Sequence, residues 1–177
     1  MLAGKTRVLL TREEIREKVK YLAEVVSRDY KDKKPLLVCV LKGAVVFLSD
    51  FMRFLSIPVE IDFMAVSSYG NSTATLGVVR ILKDLEVSIE NKDIIILEDI
   101  IDSGLTLSYL RENLLSRNPG SLKIVTLLDK PERRVADIEP DYCGFCIPDE
   151  FVVGYGLDYN EKYRNLPDLC VLLEFVK

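Results

Sequence analysis

Apolar runs and amphipathic segments alternate along most of the chain. The segment TREEIREKVKYLAEVVSRDY, residues 11–30, repeats apolar side chains at helical spacing and predicts an amphipathic helix. Thr11, followed three residues later by Glu14, is the signature of a capping box at the start of that helix. Two further helices are predicted in KGAVVFLSDFMRFL, which begins with a loop, and in LTLSYLRENLLSRN, which the following Pro-Gly pair ends.

Short apolar segments between the helices predict strands. LLVCVL (36–41), IIILE (94–98) and KIVTLL (123–128) are continuous apolar runs, as expected of strands covered on both faces. VVRIL is a further short strand, and VEIDFMAVSSYG alternates at first and then ends in small polar residues, which indicates a strand opening into a loop. Beyond Lys130-Pro131 the pattern is irregular, with the short segments YCGFCI, FVVGYG and CVLLEF.

Buried strands that alternate with helices predict a parallel, doubly wound α/β sheet with right-handed crossovers. In such sheets, ligands bind beyond the carboxyl ends of the strands. Three predicted strands end in suggestive residues, namely Lys42-Gly43, the acidic stretch after IIILE, and Asp129-Lys130. We therefore expect residues that are distant in sequence to meet along one edge of the sheet.

Composition and charge narrow the class of protein. The 177 residues fit one domain, and the composition, 49% hydrophobic and 29% charged, is that of an ordinary soluble globular protein. The net charge of -4 and a pI near 5.1 argue against a protein that binds nucleic acid or an anionic membrane. The apolar runs fall short of the roughly 20 residues of a membrane helix, and the N-terminus lacks a signal-like apolar core. We expect a cytoplasmic protein.

The cysteines and the absence of histidine limit the possible chemistry. The pair in CGFC, Cys143 and Cys146, could be a redox centre or half of a zinc site. A second ligand pair is missing and the flanking residues predict an extended segment, so we interpret these two, with Cys39 and Cys170, as small and mostly buried thiols. Since the chain has no histidine, a general base must be a carboxylate, lysine or tyrosine.

The stretch IIILEDIIDSGLTLSYL, which begins at Ile94, joins an acidic strand end to a turn of small and hydroxyl residues. Such a turn at a helix start presents free backbone N–H groups and the positive end of the helix dipole to a phosphate. Gly104 allows the backbone to close around that phosphate, although Asp102 or Ser103 could instead simply cap the helix. Neither the P-loop pattern nor the dinucleotide-binding glycine pattern occurs, which disfavours an ATPase or a Rossmann dehydrogenase.

The two carboxylates at the strand end, Glu98 and Asp99, would be costly to leave unpaired. Vicinal ribose hydroxyls and a hydrated Mg²⁺ ion are suitable partners for them. A ligand that carries a phosphate beside a ribose satisfies both halves of the stretch. The residues themselves therefore predict a ribose 5-phosphate.

ILEDIIDSGLTL resembles the phosphoribosyl diphosphate (PRPP) signature of the type I phosphoribosyltransferases, specifically their hypoxanthine-guanine branch. LKGA at 41–44 resembles the pyrophosphate loop of that family, and SSYG at 67–70 resembles its mobile catalytic loop. LLDKPERR at 127–134 and IPDEFVVGYGLDYNEKYRNLP at 147–167 resemble its purine-binding strand and hood. The five segments occur in the family's order over nearly the whole chain.

The resemblance implies the type I phosphoribosyltransferase fold, as a single domain over residues 1–177. Its core would lie at about 30–130, and a small hood would combine the N-terminus with about 140–177. The implied reaction is the purine-salvage transfer of 5-phosphoribosyl from PRPP to hypoxanthine or guanine, which gives IMP or GMP plus pyrophosphate, with Mg²⁺ as cofactor. The implied assembly is a homodimer or homotetramer, without nucleic acid or membrane partners.

The resemblance also implies roles for the acidic stretch. Glu98 and Asp99 would hold the ribose hydroxyls and Mg²⁺, and Asp102 would be the general base at the purine imidazole nitrogen. The 5-phosphate would be bound by the loop that comprises Asp102, Ser103, Gly104, Leu105 and Thr106. Leu105 stands where some relatives carry lysine, but its backbone N–H is the expected ligand.

The remaining implied roles belong to the pyrophosphate and the purine. Lys42, Gly43 and Arg164 would contact pyrophosphate, and the family often has a cis peptide between Leu41 and Lys42. Asp158 would serve a second Mg²⁺ or its water and lie near the base, while Ser68 and Tyr69 would close over the site. Lys130 would donate to the 6-oxo group, Phe151 would stack on the ring, and the Val152 backbone would contact the pyrimidine edge. Glu150 stands where relatives often have lysine, which affects a peripheral charge.

Alternatives remain for each residue and for the function. Taken singly, Lys42 and Arg164 could be solvated surface cations, Phe151 a core residue, and Asp102 and Asp158 helix or turn caps. A xanthine-preferring enzyme is poorly separated by sequence, since backbone groups contact the purine 2-position. An RNA-binding regulator with the same fold would need a basic face, whereas the chain offers only KDKK and ERR as basic clusters.

Overall fold

The computed structural model describes residues 5–69 and 78–174. The elements, in chain order, are β1 (Thr6–Leu10), α1 (Arg12–Asp29), β2 (Leu36–Leu41), α2 (Ala44–Phe54), β3 (Glu60–Tyr69), β4 (Val78–Lys83), β5 (Asp93–Ile101), α3 (Leu105–Leu115), β6 (Ser121–Asp129), β7 (Tyr142–Cys146), β8 (Val152–Val153) and β9 (Leu169–Leu172). A short 3₁₀ turn, Pro131–Arg133, follows β6. No helix in the described parts of the chain is long and apolar enough to cross a membrane.

The central sheet has six strands in the order β4-β3-β2-β5-β6-β7. The five neighbouring strands β3, β2, β5, β6 and β7 pair in parallel, which confirms the predicted α/β sheet. The edge strand β4 is antiparallel to β3, a direction that the sequence pattern did not predict. Only residues 70–77 join the two strands, too few for the crossover of about a dozen residues that parallel pairing requires.

Helices cover both faces of this sheet, as a doubly wound architecture requires. On one face, α1 and α2 pack against alternate residues of β2, β5 and β6 in a cluster that includes Ile15, Val19, Phe47, Phe51, Leu37, Ile95 and Val125. On the other face, α3 packs against the intervening residues in a cluster that includes Leu107, Leu110, Leu114, Val38, Ile96 and Ile124. Residues next to each other in β2 and β5 thus point into different cores.

A second, three-stranded antiparallel sheet has the order β1-β9-β8. It joins a strand near the N-terminus, which the sequence pattern had not revealed, to strands from the C-terminal region. The Arg7 guanidinium adds a paired contact to the Glu150 carboxylate at 2.8 and 2.9 Å. We assign this sheet to the hood. The ion pair between Arg7 and Glu150 links β1 to the segment before β8.

Local sequence signals match the elements at their starts more closely than at their ends. The predicted capping box is present, with Glu14 N–H donating to Thr11 Oγ1 and Thr11 N–H donating to the Glu14 carboxylate. Two strands are longer than predicted: β3 continues to Tyr69, and β5 continues past Glu98 to Ile101. The acidic pair therefore lies within the strand, and only the segment predicted to bind the 5-phosphate forms the turn.

Candidate active site

The carboxyl ends of β2, β5 and β6 open into one cavity beneath the hood. Its volume is about 360 Å³. The predicted site residues that line it are Lys42, Gly43, Glu98, Asp99, Asp102, Lys130, Phe151, Val152, Asp158 and Arg164. The fold thus brings ten of the predicted residues, from four of the five segments that carry the resemblance, to one place.

The acidic pair lies on the floor of this cavity because β5 is a central strand between β2 and β6. Glu98 is buried, whereas Asp99 is partly exposed. Asp99 rests against the loop after β2, where a Cβ added to Gly43 would overlap its carboxylate. A side chain at position 43 would therefore displace the Asp99 carboxylate, although the φ of -59° itself suits any residue.

Among the described residues, neither Glu98 nor Asp99 takes part in a salt bridge. Burial and the neighbouring Asp99 raise the pKa of Glu98 well above its ordinary value. Burial also raises the pKa of Asp99 to about 6, with Asp158 adding to the increase and Arg164 opposing it. Two adjacent carboxyl groups with raised pKa values form a site that a cation or hydroxyl donors would stabilise.

These raised pKa values predict how stability depends on pH. Between pH 4 and pH 6 the folded chain binds more protons at this pair than the unfolded chain does. The free energy of unfolding that the pair contributes therefore falls as pH rises through that window. We expect Asp99→Asn to make the free energy of unfolding fall less steeply with pH. Urea unfolding of the ligand-free protein at several pH values measures the slope, and an unchanged slope in the variant would contradict the assignment.

The turn between β5 and α3 forms a smaller cavity of about 120 Å³ beside the first. Gly104, at φ +79°, is in the left-handed region, and a Cβ there would also approach Ile138 Cγ2 to 2.7 Å. It precedes α3, whose first N–H groups face this turn. Ser103, Gly104 and Thr106 line the cavity, as does Asp102. Leu105 does not, and its amide lies 3.4 Å from Ser103 Oγ.

Asp102 forms an ion pair with Arg133, a residue that the sequence analysis did not assign to the site. Arg133 Nε donates to Asp102 Oδ1 at 2.6 Å, and Nη1 lies 3.4 Å from Asp149 Oδ1. These carboxylates raise the pKa of Arg133, with Asp102 as the largest cause. Both partners are about half exposed, so solvent screens the pair and a ligand can replace it at small cost.

The predicted pyrophosphate residues meet acidic side chains. The peptide between Leu41 and Lys42 is cis, as the resemblance implied. Lys42 Nζ lies 3.2 Å from the Glu161 carboxylate, and Arg164 Nη2 lies 2.7 Å from Asp158 Oδ1. Arg164 is also 3.6 Å from Glu161. Glu161, to which the sequence analysis gave no role, therefore lies beside both positively charged side chains.

Lys130 approaches the cavity from the end of β6. It is 6% exposed, and its ammonium donates to the backbone carbonyl of Glu150 at 2.7 Å. An ammonium carries three donors and no acceptor, so this carbonyl orients the side chain and leaves donor capacity for a ligand. The exposed Phe151 ring, perpendicular to that of Tyr159 with ring centroids 5.7 Å apart, lines the cavity beside it.

Ser68 and Tyr69, predicted to close over the site, lie at the end of β3, where they pair with Val79 and Val78 of β4. The rest of the predicted mobile loop, residues 70–76, lies outside the described residues. A larger cavity, of about 750 Å³, lies against α1 and α2 and shares with the site only Arg164. It contains none of the other predicted residues.

The donor atoms in the active-site cavity suit a hard cation. Glu98, Asp99 and Asp158 offer carboxylate oxygens, the ligand type that Mg²⁺ prefers. The raised pKa values of the β5 pair indicate a shortage of positive charge at its position. The residues present therefore fit a magnesium ion, and the predicted ligand set stays a prediction.

Comparison with known proteins places these features in a family. Residues 8–160 match the family model described as the phosphoribosyl transferase domain. The hypoxanthine-guanine phosphoribosyltransferase of Bacillus subtilis (strain 168) is 57% identical over 166 residues, which cover 94% of this chain and 92% of that protein.

Solved structures are similar over the same length. A hypoxanthine phosphoribosyltransferase from Staphylococcus aureus superimposes with a TM-score of 0.91 at 53% identity, covering 94% of this chain and 90% of that one. A hypoxanthine-guanine phosphoribosyltransferase from Bacillus anthracis gives a TM-score of 0.91 at 49% identity, covering 96% and 99%. The similarity includes the strands and the hood that form the cavity.

Proposed function

The chain belongs to the phosphoribosyltransferase family, and we propose that it transfers 5-phosphoribosyl from PRPP to hypoxanthine or guanine, giving IMP or GMP and pyrophosphate. Such a reaction makes it a pentosyltransferase of purine salvage. The similarity to enzymes with this specificity, at 57% and 53% identity over most of the chain, supports the assignment. We further expect a cytoplasmic homodimer or homotetramer.

One observation carries the proposal: an acidic strand end, a phosphate-sized turn and a buried lysine share one edge of the sheet. Ribose hydroxyls would donate to Glu98 and Asp99, while the 5-phosphate would occupy the turn before α3. The purine would lie between Phe151 and Lys130. Each part of the product nucleotide thus has groups of complementary charge or hydrogen-bonding capacity.

Pyrophosphate would bind to Lys42 and Arg164, two positively charged side chains that line the cavity. Lys42 and Arg164 are already close to Glu161 and Asp158, so the diphosphate of PRPP must compete with carboxylates for them. Arg164 is mostly withdrawn from solvent, and its Nε atom has no partner among the described residues. A diphosphate oxygen would satisfy such donors and offset the cost of their burial.

Asp102 is the proposed general base, because it lines both cavities between the ribose and purine positions. Its carboxylate would accept the proton from the purine imidazole nitrogen as the bond to C1 of the ribose forms and pyrophosphate leaves. The cationic Arg133 beside it would keep the carboxylate oriented until the base binds. A closed hood and loop would exclude the water that could otherwise hydrolyse PRPP.

The proposed cofactor is Mg²⁺, held by Glu98 and Asp99 with Asp158 at a second position. When bound, it would neutralise charge on the diphosphate that leaves. The chain's own carboxylates select and orient the ribose, and the oxygen-only ligand set favours a hard ion over softer metals.

Base selection is assigned to Lys130. An ammonium can donate to a 6-oxo group but offers only a further donor to a 6-amino group, so adenine is rejected. We expect Lys130→Met, which keeps a similar length without the charge, to lower kcat/KM for hypoxanthine by roughly 10- to 100-fold, the size of one hydrogen bond to a charged group. Discrimination against adenine should narrow in steady-state assays with each base.

Lys123→Met is the matched control, because Lys123 lies on β6, the strand that Lys130 directly follows, but pairs with Asp141 at 2.7 Å, outside the cavity. Wild-type base preference in the Lys130 variant would show that specificity resides elsewhere.

The decisive experiment for the function measures pyrophosphate release with PRPP and Mg²⁺ and each purine in a separate reaction. Release with hypoxanthine and guanine, and little with adenine, is expected. A clear preference for xanthine would replace the proposed substrate range, since the 2-position contacts involve backbone groups. If none of the purines supports pyrophosphate release and the protein binds RNA in a salt-sensitive way, the RNA-binding regulator would be favoured.

A further inference from the structure

Three potential metal ligands meet where β6 and β7 end. In the parts of the chain that the structure describes, a carboxylate oxygen of Asp129 and the sulfurs of Cys143 and Cys146 all lie within 4.8 Å of one another. The two cysteines belong to the CGFC segment, and the sequence offered no third ligand for them. Because the fold supplies Asp129, the interpretation of this pair as merely structural thiols needs revision.

Strand register explains why Asp129 and Cys146 meet, while Cys143 reaches the same place from three residues earlier in β7. β6 and β7 are parallel neighbours, with Thr126 opposite Cys143 and Asp129 opposite Cys146. Asp129 is 8% exposed, Cys143 is partly exposed and Cys146 is exposed. The cluster therefore has a buried floor and a side open to solvent, through which an ion could enter.

We propose that Asp129, Cys143 and Cys146 bind a thiophilic divalent cation, of which Zn²⁺ is the biological example. Tetrahedral coordination with Zn–S bonds of about 2.3 Å places two sulfurs about 3.8 Å apart, so ligands already within 4.8 Å need only small shifts. Two thiolates and a carboxylate are a borderline-soft set that favours zinc over magnesium. Water would complete the coordination on the exposed side.

Local charges suit this ion. Arg134, whose side chain is largely buried, forms an ion pair with Asp129 Oδ1. With a divalent ion bound, the two thiolates, the Asp129 carboxylate and Arg134 would bring the total charge of the cluster to zero. Without a metal, burial and the neighbouring Cys146 and Asp129 raise the pKa of Cys143 to about 12, so metal uptake must release protons.

The position of the site links two parts of the purine pocket. Asp129 immediately precedes Lys130, and its carbonyl accepts a hydrogen bond from Ile147 N–H at 2.9 Å. The chain then runs from Cys146 to Phe151 in a few residues. A bound ion would join the end of the strand that carries Lys130 to the start of the segment that carries Phe151. The metal site itself does not depend on the proposed catalytic function.

The test uses the full-length protein, freed of metals with a chelator and kept reduced with a phosphine, in buffer with excess Mg²⁺. Titration with Cd²⁺ should produce a thiolate-to-cadmium charge-transfer band that saturates at one equivalent. Zn²⁺ should suppress this band by competition, and it should raise Tm by binding the folded state.

Cys146→Ala is the decisive variant, since Cys146 is exposed and its removal leaves the core intact. Removal of a residue that only hydrogen-bonds to a metal ligand lowers metal affinity by up to about 100-fold. Loss of the ligand itself should therefore weaken Cd²⁺ binding by more than about 100-fold. Cys170→Ala is the matched control, because Cys170 is a buried thiol on β9, in the three-stranded sheet. This substitution should leave both the charge-transfer band and the Cd²⁺ affinity unchanged.

Two results would overturn the proposal. One is a wild-type protein that gives no charge-transfer band with Cd²⁺ although a thiol assay finds its cysteines reduced. The other is a Cys146→Ala variant that binds Cd²⁺ as tightly as the wild type. Since phosphoribosyl transfer is assayed separately, its absence would leave the metal result standing, and the reverse also holds.

Discussion

Glu98→Gln combined with Asp99→Asn is expected to weaken binding of PRPP in the presence of Mg²⁺ by at least roughly 100-fold. Both carboxylates line the cavity, and neither forms a salt bridge among the described residues. Hydrogen bonds to charged groups contribute about 1.5–3 kcal/mol each, and about 1.4 kcal/mol corresponds to a tenfold change in affinity. Neutral amides keep the shape of both side chains and remove the charge.

The same double substitution should raise the free energy of unfolding of the ligand-free protein. Burial raises the pKa values of both carboxyl groups, with Asp99 adding to the increase at Glu98 and Asp158 to that at Asp99, so their ionised forms destabilise the folded state. Active sites commonly retain groups of this kind at the expense of stability. The opposite signs of the two effects distinguish a functional role from simple damage to the fold.

Calorimetric titration with PRPP and Mg²⁺ measures the affinity, and urea unfolding near neutral pH measures the stability. Glu90→Gln with Asp137→Asn is a suitable control, since it makes the same chemical changes at exposed positions. An affinity within the wild-type range would exclude the proposed role at the ribose and metal. A loss of stability would mean that the pair is satisfied in a way the geometry does not reveal.

Asp102→Asn is expected to lower kcat by about 100-fold or more, the usual contribution of a general base. The amide cannot accept the purine proton, yet it keeps the size and position of the carboxylate. PRPP should bind with nearly unchanged affinity, because the turn before α3 retains its backbone and hydroxyl groups. A fall in kcat without loss of PRPP binding separates proton transfer from binding.

Asp149→Asn provides a matched control for this substitution. Asp149 also lies near Arg133, at 3.4 Å, but is absent from the cavity lining. The control loses an equal charge beside the same guanidinium, so its kcat should stay close to that of the wild type. Near-normal turnover in Asp102→Asn, or an equal fall in both variants, would refute the assignment of Asp102 as the base.

Several features of the fold could be predicted because their causes are local. Thr11 and Glu14 form a capping box through groups three residues apart. Continuous apolar runs predicted β2, β5 and β6, since only strands covered on both faces can bury every side chain. Parallel strands in turn place their carboxyl ends together, which brought Lys42, Asp99 and Lys130 to one edge.

Features that depend on tertiary pairing were missed or incomplete. β4 was predicted as a strand, but its antiparallel direction depends on its partner β3, and β1 is a strand only because β9 lies beside it. The pairing of Asp102 with Arg133 also joins groups far apart in sequence. A short amphipathic or polar segment carries too little local preference to specify such partners.

The sequence by itself determined the alternation of elements, the edge of the sheet where the predicted site residues meet, and the turn that we propose binds the 5-phosphate. Each depends on burial or hydrogen bonding among residues close in sequence. Only the tertiary structure decided which charged side chains lie beside one another. It places Glu161 beside Lys42, and Asp129 beside the two thiols of CGFC. Electrostatic interactions fall with distance in space rather than along the chain, so charges and ligands find their partners only after the strands have packed.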